Sequence, residues 1–368
     1  MNTEISNDSK AAADSNGNSY TPNRILITGG AGFVASNFIL FLMKKYPHYQ
    51  ITCLDRLDPC SNTKNLSEVE FNPNFTFVRG DICSKDLVMH ILKSQNIDVI
   101  FHAAAQSCVD QSFTDPMEFT RSNVLGTQVL LECSKSLEGQ IKRFIHVSTD
   151  ECYRGVPLDS DDRCREDCLL EPTNIYSSSK AAAEQFVTAY NFSFKIPTII
   201  TRSNNVIGRH QYLEKIIPKF SELLSRGLPC PVHGNGLNRR SFIHVDDVCN
   251  AFDLILHKGS IGEIYNIGTD SEISNLDTLK LLIQIFREYY PECLDARKSD
   301  DNYINFVRDR PYNDLRYRID SSKLKKLGWN MKYASLHDMI KSTVDWYIKN
   351  KNYWENAEQA LQAHPSEK

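Results

Sequence analysis

Short apolar runs alternate with longer amphipathic stretches through the first 205 residues of the chain. The apolar runs are typical of strands, and the amphipathic stretches between them are typical of helices. The predicted strands are Arg24–Thr28, Gln50–Leu54, Phe75–Arg79, Ile97–Phe101, Lys142–Val147 and Pro197–Arg202. The predicted helices are Ala31–Lys45, Ser84–Gln95, Glu118–Leu137 and Ser177–Phe194. This order predicts an α/β fold of the Rossmann type, a doubly wound parallel sheet with helices on both faces.

The pattern becomes less regular after residue 205, where proline and glycine interrupt it. A helix over Leu276–Tyr289 and a helical segment from about Leu336 to Leu361 follow. Because 368 residues exceed what one core usually needs, we expect a smaller, mostly C-terminal α/β substrate domain. It should lie over the carboxyl ends of the strands, where open sheets bind their ligands. The expected division is a disordered polar tail over 1–20, a Rossmann domain over 21–205 with a contribution from about 238–266, and a mainly substrate-binding domain over 206–368.

Composition excludes several classes of protein. The formal net charge of -4 argues against a nucleic-acid partner. No apolar stretch is long enough to span a membrane, and the polar N-terminus lacks the apolar core of a signal peptide. The 11 cysteines form no paired framework and no metal-ligand pattern. We therefore expect reduced thiols, no metal site and a cytoplasmic location.

A glycine-rich turn follows the first predicted strand directly. Gly29 and Gly32 allow a tight turn and a close approach of a pyrophosphate, and the helix that begins near Phe33 and Val34 offers free N–H groups. The second strand ends at Asp55, where a carboxylate should bind the adenosine ribose and disfavour a 2′-phosphate. The predicted cofactor is therefore NAD. The other predicted cofactor contacts at strand ends are Asp81, Ile82, Ala103, Ala104 and Ala105.

Tyr176 and Lys180 are separated by one helical turn, so both side chains can face the same crevice. A phenol is a poor base at neutral pH, but a neighbouring ammonium and the positive nicotinamide ring favour the phenolate and lower the pKa of Tyr176. Tyr176 could then deprotonate a sugar hydroxyl while NAD⁺ accepts the hydride. Thr149, after the fifth strand, should hydrogen-bond the same hydroxyl. Lys180 and Tyr176 also count as cofactor contacts.

Asp150 and Glu151 follow Thr149 directly. Adjacent acids usually form a solvated turn, but these two lie at the carboxyl end of a central predicted strand. Two carboxyl groups in one crevice repel, so one tends to keep its proton while the other ionises. Such a pair can eliminate water, with one group removing a proton beside a carbonyl and the other protonating the departing hydroxyl.

These motifs together resemble the dTDP-glucose and UDP-glucose 4,6-dehydratases of the extended short-chain dehydrogenase/reductase superfamily, in particular their eukaryotic and viral branch. The resemblance runs from about residue 23 to residue 362, and the Thr149-Asp150-Glu151 triplet is its most specific part. Two further runs carry it, Arg202-Ser203-Asn204-Asn205 and Asp309-Arg310-Pro311. It also implies that Asn123 belongs to the cofactor site.

The resemblance implies a mechanism and a substrate site. Tyr176 and Lys180 oxidise carbon 4, Glu151 and Asp150 remove water across carbons 5 and 6, and hydride returns to carbon 6. The substrate would be a nucleoside-diphosphate glucose, and the protein a homodimer paired through Glu118–Leu137 and Ser177–Phe194. The implied substrate contacts are Thr149, Asn205, Glu214, Lys215, Arg240, Asn266 and Arg310.

Several positions depart from the family pattern and leave the preferred base and sugar open. They are Cys108, Arg154, Ile207, Arg209, His233, His244 and Asn313. The alternative function is a sugar-nucleotide 4-epimerase, which would share Tyr176 and Lys180 but has no use for the two acids. A non-catalytic NAD-sensing protein is a further alternative, because one fold can carry many functions.

Overall fold

The computed structural model describes residues 12–13, 19–333, 335–355 and 358–362. Within these residues, a seven-stranded parallel sheet forms the centre of the molecule. Its strands are β1 (Arg24–Thr28), β2 (Gln50–Asp55), β3 (Phe75–Arg79), β4 (Val99–His102), β5 (Arg143–Thr149), β6 (Thr198–Ser203) and β10 (Ile264–Ile267). Their spatial order is β10-β6-β5-β4-β1-β2-β3, so the order reverses between β1 and β4. A crevice opens at such a reversal, at the carboxyl ends of the strands. The predicted fold class is confirmed.

Helices cover both faces of this sheet. They are α1 (Phe33–Lys45), α2 (Lys85–Ser94), α3 (Val109–Thr114), α4 (Pro116–Phe119), α5 (Gly126–Lys135), α6 (Ile175–Phe194) and α8 (Val245–Lys258). Alternate residues of one strand belong to two separate apolar cores, because successive side chains point to opposite faces of the sheet. Ile25 and Ile27 pack with α1 and α8, whereas Leu26 packs with α2, α5 and α6.

Two predicted helices are interrupted. The predicted helix Glu118–Leu137 consists of the end of α4, a π-helical turn at Thr120–Leu125 and then α5. The predicted terminal segment from Leu336 to Leu361 is divided into α11 (Leu336–Lys349) and α12 (Glu358–Leu361). Between them the backbone of Asn352 adopts a positive φ of 61°, which a helix cannot contain.

A second group of elements covers the carboxyl ends of the central strands. Its strands are β7 (Asn205–Ile207), β8 (Cys230–His233), β9 (Arg239–His244), β11 (Glu272–Ser274) and β12 (Ile304–Val307). They form a three-stranded sheet, β11-β9-β7, and a parallel pair, β8-β12. Its helices are α7 (Ile216–Ser225), α9 (Asn275–Tyr289), α10 (Ser322–Lys326), α11 and α12. The helices α7, α9 and α11 enclose a separate apolar core.

The predicted domain boundaries stay a prediction. Most of the predicted tail, 1–20, lies outside the described residues, although Ala12–Ala13 pairs antiparallel with Ser19–Tyr20. Residues 238–266 do not form one unit: β9 belongs to the small sheet, whereas α8 packs against the central one. Short 3₁₀ turns at Thr63–Leu66, Asp150–Cys152, Pro291–Cys293 and Asp300–Tyr303 complete the described structure.

Candidate active site

A cleft of about 410 Å³ lies between the carboxyl ends of the central strands and the second group of elements. Its volume falls in the range of small-ligand sites. A smaller pocket adjoins it beside β2 and β3, and Gly29, Ala104 and Ala105 line both. The two cavities together form one elongated site.

The turn after β1 forms the cofactor end of the cleft. Gly29 has a φ of +69°, and a Cβ atom there would lie 2.7 Å from the Cα of Ala104, so only glycine fits. Gly32 begins α1 without a side-chain cap, and no acidic residue stands in the first turn. The first N–H groups of α1 are therefore available to a phosphate.

Asp55 ends β2 at the smaller pocket. Its carboxylate oxygens accept hydrogen bonds from the N–H groups of Ala31, at 3.0 Å, and Leu57, at 2.7 Å. Oδ2 also accepts from the Ser61 hydroxyl at 3.4 Å, whereas Oδ1 keeps a second lone pair that can accept from a ribose hydroxyl. The residues present therefore fit an adenine dinucleotide.

The first turn of α6 holds the proposed proton-transfer group Tyr176. Asn174 caps the helix: its side chain accepts from the N–H of Ser177 at 2.9 Å, and the Ser177 hydroxyl accepts in return from the N–H of Asn174 at 3.2 Å. This capping box fixes the start of α6. Tyr176 and Lys180 both line the cleft. The Lys180 ammonium donates to the carbonyl of Val147 at 2.7 Å, which places it against β5.

The surroundings of Tyr176 raise its pKa, whereas the sequence predicts that its pKa is lowered. Burial and the Glu151 carboxylate raise the pKa of Tyr176 well above its usual value, although a hydrogen bond with Thr149 opposes this. Burial lowers the pKa of Lys180 to about 8. The protein groups by themselves therefore do not produce a phenolate, and the positive charge of a bound nicotinamide is needed to favour it.

The acids lie on the 3₁₀ turn that follows β5. Thr149 caps this turn, and its hydroxyl oxygen accepts from the N–H of Glu151 at 3.3 Å. Thr149 and Glu151 line the cleft, whereas Asp150 lies directly behind that wall and is 3% exposed. Burial first, and then the Glu151 charge, raises the pKa of Asp150 to about 7. Burial also raises the pKa of Glu151, but Arg240 and Lys215 oppose it.

Positive side chains line the opposite end of the cleft. Arg240 donates to the carbonyl of Asp314 at 3.0 Å, and Arg310 forms an ion pair with Asp110 at 2.7 Å. The ammonium of Lys215, the residue that precedes α7, donates to the carbonyl of Ser107 at 2.7 Å. This end of the cleft is suited to a phosphorylated ligand.

A family model described as GDP-mannose 4,6 dehydratase matches residues 26–343 of the chain. The mouse dTDP-D-glucose 4,6-dehydratase is 46% identical over 93% of this chain and 93% of its own length. The chain belongs to the nucleotide-sugar 4,6-dehydratase family.

Two further relatives agree with this family. A trifunctional UDP-glucose 4,6-dehydratase/UDP-4-keto-6-deoxy-D-glucose 3,5-epimerase/UDP-4-keto-L-rhamnose-reductase of Arabidopsis thaliana is 48% identical over 94% of the chain, which spans about half the length of that relative. The crystal structure of the dTDP-glucose 4,6-dehydratase DesIV of Streptomyces venezuelae, solved with NAD bound, has a TM-score of 0.83 and 35% identity, and the match covers 91% of this chain and all of that one.

Most of the residues that the sequence predicts for a 4,6-dehydratase site lie together. The main cleft is lined by Gly29, Gly32, Phe33, Val34, Ala103, Ala104, Ala105, Thr149, Glu151, Tyr176, Lys180, Asn205, Glu214, Lys215, Arg240 and Arg310. The smaller pocket is lined by Asp55, Asp81 and Ile82. Because the strands are parallel, residues far apart in sequence meet at one edge of the sheet.

Besides Asp150, which lies directly behind the cleft wall, two predicted site residues lie elsewhere. Asn266 is fully buried on β10, where its amide accepts from the Tyr153 hydroxyl at 2.9 Å and donates to the carbonyl of Cys164 at 3.1 Å. Asn123 lies on the π-helical turn, accepts from the N–H of Gln106 at 2.7 Å and donates to the Ser179 hydroxyl at 2.8 Å. Neither residue lines the cleft, and both hold neighbouring segments in place.

The departures from the family pattern fall into two groups. Cys108, Ile207, His233 and Asn313 line the cleft, where they can affect the choice of ligand. The others lie away from its wall. Arg154 lies 3.6 Å from Glu171, Arg209 lies 3.2 Å from Asp246, and the ring of His244 stacks at 4.0 Å against that of Tyr333.

Asn174 and Asn204 are site residues that the sequence-based list omits. The amide of Asn174 donates to a Glu151 oxygen at 3.5 Å, and that of Asn204 donates to an Asp150 oxygen at 2.6 Å. The sequence signal for Asn174 is its place just before a helix, because asparagine is favoured at the N-cap, and this position could have predicted it. Asn204 carries no local signal.

Proposed function

We propose that the chain is an NAD-dependent nucleoside-diphosphate-glucose 4,6-dehydratase. It would convert UDP-glucose or dTDP-glucose to the 4-keto-6-deoxyglucose nucleotide and water. The observation that carries the proposal is one cleft lined by Tyr176, Lys180 and Glu151, with a second acid, Asp150, directly behind its wall on the turn after β5. A 4-epimerase would use Tyr176 and Lys180 alone.

The first half of the reaction is an oxidation at carbon 4. Tyr176 takes the proton of the 4-hydroxyl, and Thr149, beside it in the cleft wall, holds that hydroxyl. Lys180, one turn along α6, stabilises the phenolate by its charge. Gly29, Gly32 and Asp55 would hold NAD⁺, which when bound would supply the acceptor for the hydride of carbon 4 and, once reduced, the donor to carbon 6.

The second half is an elimination. The ketone at carbon 4 acidifies the proton at carbon 5, which Glu151 removes. Asp150 protonates the 6-hydroxyl so that it leaves as water. Carbon 5 is reprotonated as the hydride returns to carbon 6, which gives the 4-keto-6-deoxy product. Burial and the Glu151 charge raise the pKa of Asp150 to about 7, so the carboxyl can keep its proton at neutral pH and act as the acid. Arg240 and Lys215 favour the ionised form of Glu151, so the two acids are suited to opposite roles.

The diphosphate would lie at the positively charged end of the cleft. Arg240 and Arg310 can donate charge-assisted hydrogen bonds to phosphate oxygens. The N-terminal turn of α7 also faces the cleft and has no side-chain cap, so its N–H groups add to the attraction. Asn205 and Glu214 would contact the sugar or the nucleoside from the same wall.

The test is the product mass after incubation of purified protein with UDP-glucose and with dTDP-glucose separately. Loss of one water supports the proposal and ranks the two nucleotides. A product of unchanged mass would point to an epimerase instead. Tyr176→Phe is the control, because any activity of this site should fall with it.

We also propose a homodimer that pairs through α4, α5 and α6. Three large apolar side chains of these helices and of the π-helical turn between α4 and α5 are exposed: Met117 at 73%, Phe192 at 71% and Leu125 at 47%. Large exposed apolar side chains are characteristic of association surfaces. Light scattering on the purified protein, with Phe192→Asp as the disrupting variant, tests this.

The eleven free cysteines support a reducing, cytoplasmic location.

A further inference from the structure

Asp150 and Asn204 face each other because of the pairing between β5 and β6. Thr149 is paired with Ser203, so the next residue of each strand lies just beyond the paired edge. The Asn204 amide nitrogen donates to Oδ2 of Asp150 at 2.6 Å. Asn204 is 2% exposed and Asp150 3% exposed, so water does not replace this bond.

The direction of this hydrogen bond is fixed by a third residue. The amide oxygen of Asn204 accepts from the backbone N–H of Thr269 at 2.9 Å. A backbone N–H can only donate, so the amide oxygen must face Thr269 and the NH₂ group must face Asp150. Gly268 allows the backbone to lie this close to the amide oxygen of Asn204, since a Cβ atom at position 268 would lie 2.7 Å from that oxygen.

A consequence follows for the proton of Asp150. Because Oδ2 accepts from Asn204, the proton of the neutral acid is carried by Oδ1. In the structure the hydroxyl of Thr149, which lines the cleft, donates to Oδ1 at 3.3 Å. A hydroxyl can rotate and accept as well as donate, so it can also accept from Oδ1 when the acid is protonated. The acid therefore presents its proton on the side where the sugar would lie.

We propose that Asn204 is a positioning residue for the elimination step, which directs the proton of Asp150 towards the 6-hydroxyl. The inference rests on the proposed function. Asn204 borders the cleft but is 2% exposed, and the two ends of its amide bond Asp150 and Thr269, so it acts through Asp150. Its amide also stabilises the ionised form of Asp150, so that the acid gives up its proton more readily.

The other charged or titratable groups that face Asp150 come from four places. Glu151 belongs to the same turn, Arg240 to β9, Tyr176 to α6 and Cys164 to the loop before α6. All of them are unchanged in an Asn204 variant. A change in the pH dependence of that variant therefore reports on the lost amide.

The experiment compares Asn204→Ala and Asn204→Ser with the wild-type holoenzyme. Chemical quench and mass analysis separate the 4-keto sugar that still has its 6-hydroxyl from the dehydrated sugar. We expect dehydration to slow about 100-fold, since a small misplacement of a reacting group costs about that much. The 4-keto sugar should form at the wild-type rate and accumulate, with little change in KM.

The pH profile is the second readout. The amide lowers the pKa of Asp150, so its loss should move the alkaline limb of kcat to higher pH. A residue with only a structural role would leave that limb in place. Asn250→Ala is the matched control. The amide of Asn250 also donates one hydrogen bond within the protein, to the carbonyl of Asp246 at 2.9 Å, but it lies on α8 and does not contact Asp150.

Three results would overturn the inference, and a fourth would overturn the proposed function instead. Equal slowing of oxidation and dehydration, or an unmoved alkaline limb, would show that Asn204 does not act through the acid. Wild-type dehydration in both variants would do the same. If the wild-type protein itself removes no water from either nucleotide sugar, the proposed function fails, and that result is separate from any effect of Asn204.

Discussion

Replacement of Asp150 by asparagine should stabilise the folded protein at neutral and alkaline pH while it removes the acid of the elimination. Burial raises the pKa of this carboxyl from 3.8 to about 7, and the charge of Glu151 adds to the effect. In the unfolded chain the carboxyl ionises near its usual pKa. The ionised side chain is therefore less stable in the folded protein than in the unfolded one.

The pH dependence of this cost follows from proton linkage. Between about pH 4 and pH 7 the folded state keeps a proton that the unfolded state has released, so the free energy of unfolding falls as the pH rises. A pKa difference of about 3, at about 1.4 kcal/mol per pKa unit, corresponds to about 4 kcal/mol above pH 7. Asparagine never ionises, and its carbonyl oxygen can still accept from Asn204.

The assay is urea unfolding of the wild type and of Asp150→Asn at pH 5 and pH 8. The stability advantage of the variant should grow by about 2–3 kcal/mol between these two pH values. Dehydration should fall about 10²- to 10⁴-fold, as expected for loss of a general acid. Asp159→Asn, on an exposed loop carboxyl, is the matched control, and its effect should be the same at both pH values.

If the stability advantage of Asp150→Asn over the wild type does not change with pH, the reasoning is refuted. That result would show that the ionised Asp150 side chain is no less stable in the folded protein than in the unfolded one. A variant that is less stable than the wild type at pH 8 would contradict the reasoning more strongly. Either result would also remove the reason for assigning the acid role to Asp150.

Three further predictions concern single side chains. In urea unfolding, Glu184→Ala should lower the free energy of unfolding by about 3–5 kcal/mol, because it leaves the buried guanidinium of Arg202 without its counter-ion. Glu263→Ala, which breaks the more exposed ion pair with Lys323, should lower it by at most about 1 kcal/mol. Gly29→Ala should reduce the NAD that copurifies with the protein, because its Cβ would meet the backbone after the fourth strand. Gly139→Ala, at a similar φ but with no atom within 4 Å, should keep its NAD; equal loss would reject the steric argument. Arg310→Ala should raise KM for the nucleotide sugar about 10- to 100-fold with a smaller change in kcat, as expected for a lost charge-assisted bond, and an unchanged KM would place the diphosphate elsewhere.

Local sequence patterns predicted the central sheet well. The strands at Arg24–Thr28 and Phe75–Arg79 agree with the structure residue for residue. The helix that begins at Ile175 starts two residues before the prediction, because Asn174 caps it. The interrupted segment around Asn123 was not predicted, because a π turn leaves no clear mark on the spacing of apolar residues.

Residues whose role depends on a partner far along the chain were harder to predict. Asn266 resembles a substrate contact by its position in the sequence, but it lies on β10 among Tyr153 and the loop near Cys164. Asn204 belongs to a family motif in the sequence, but its contact with Asp150 joins residues 54 positions apart. No periodicity or spacing records such a contact.

The sequence by itself determined the fold class, the glycine turn for a dinucleotide, the helix face that carries Tyr176 and Lys180, and the adjacency of the two acids. These features depend on residues within one or two turns of each other, where backbone geometry is fixed locally. Only the tertiary structure decided which oxygen of Asp150 accepts from Asn204, and that Asn266 lies outside the cleft. Those properties depend on strand order, register and burial, which arise when distant segments pack together and exclude water.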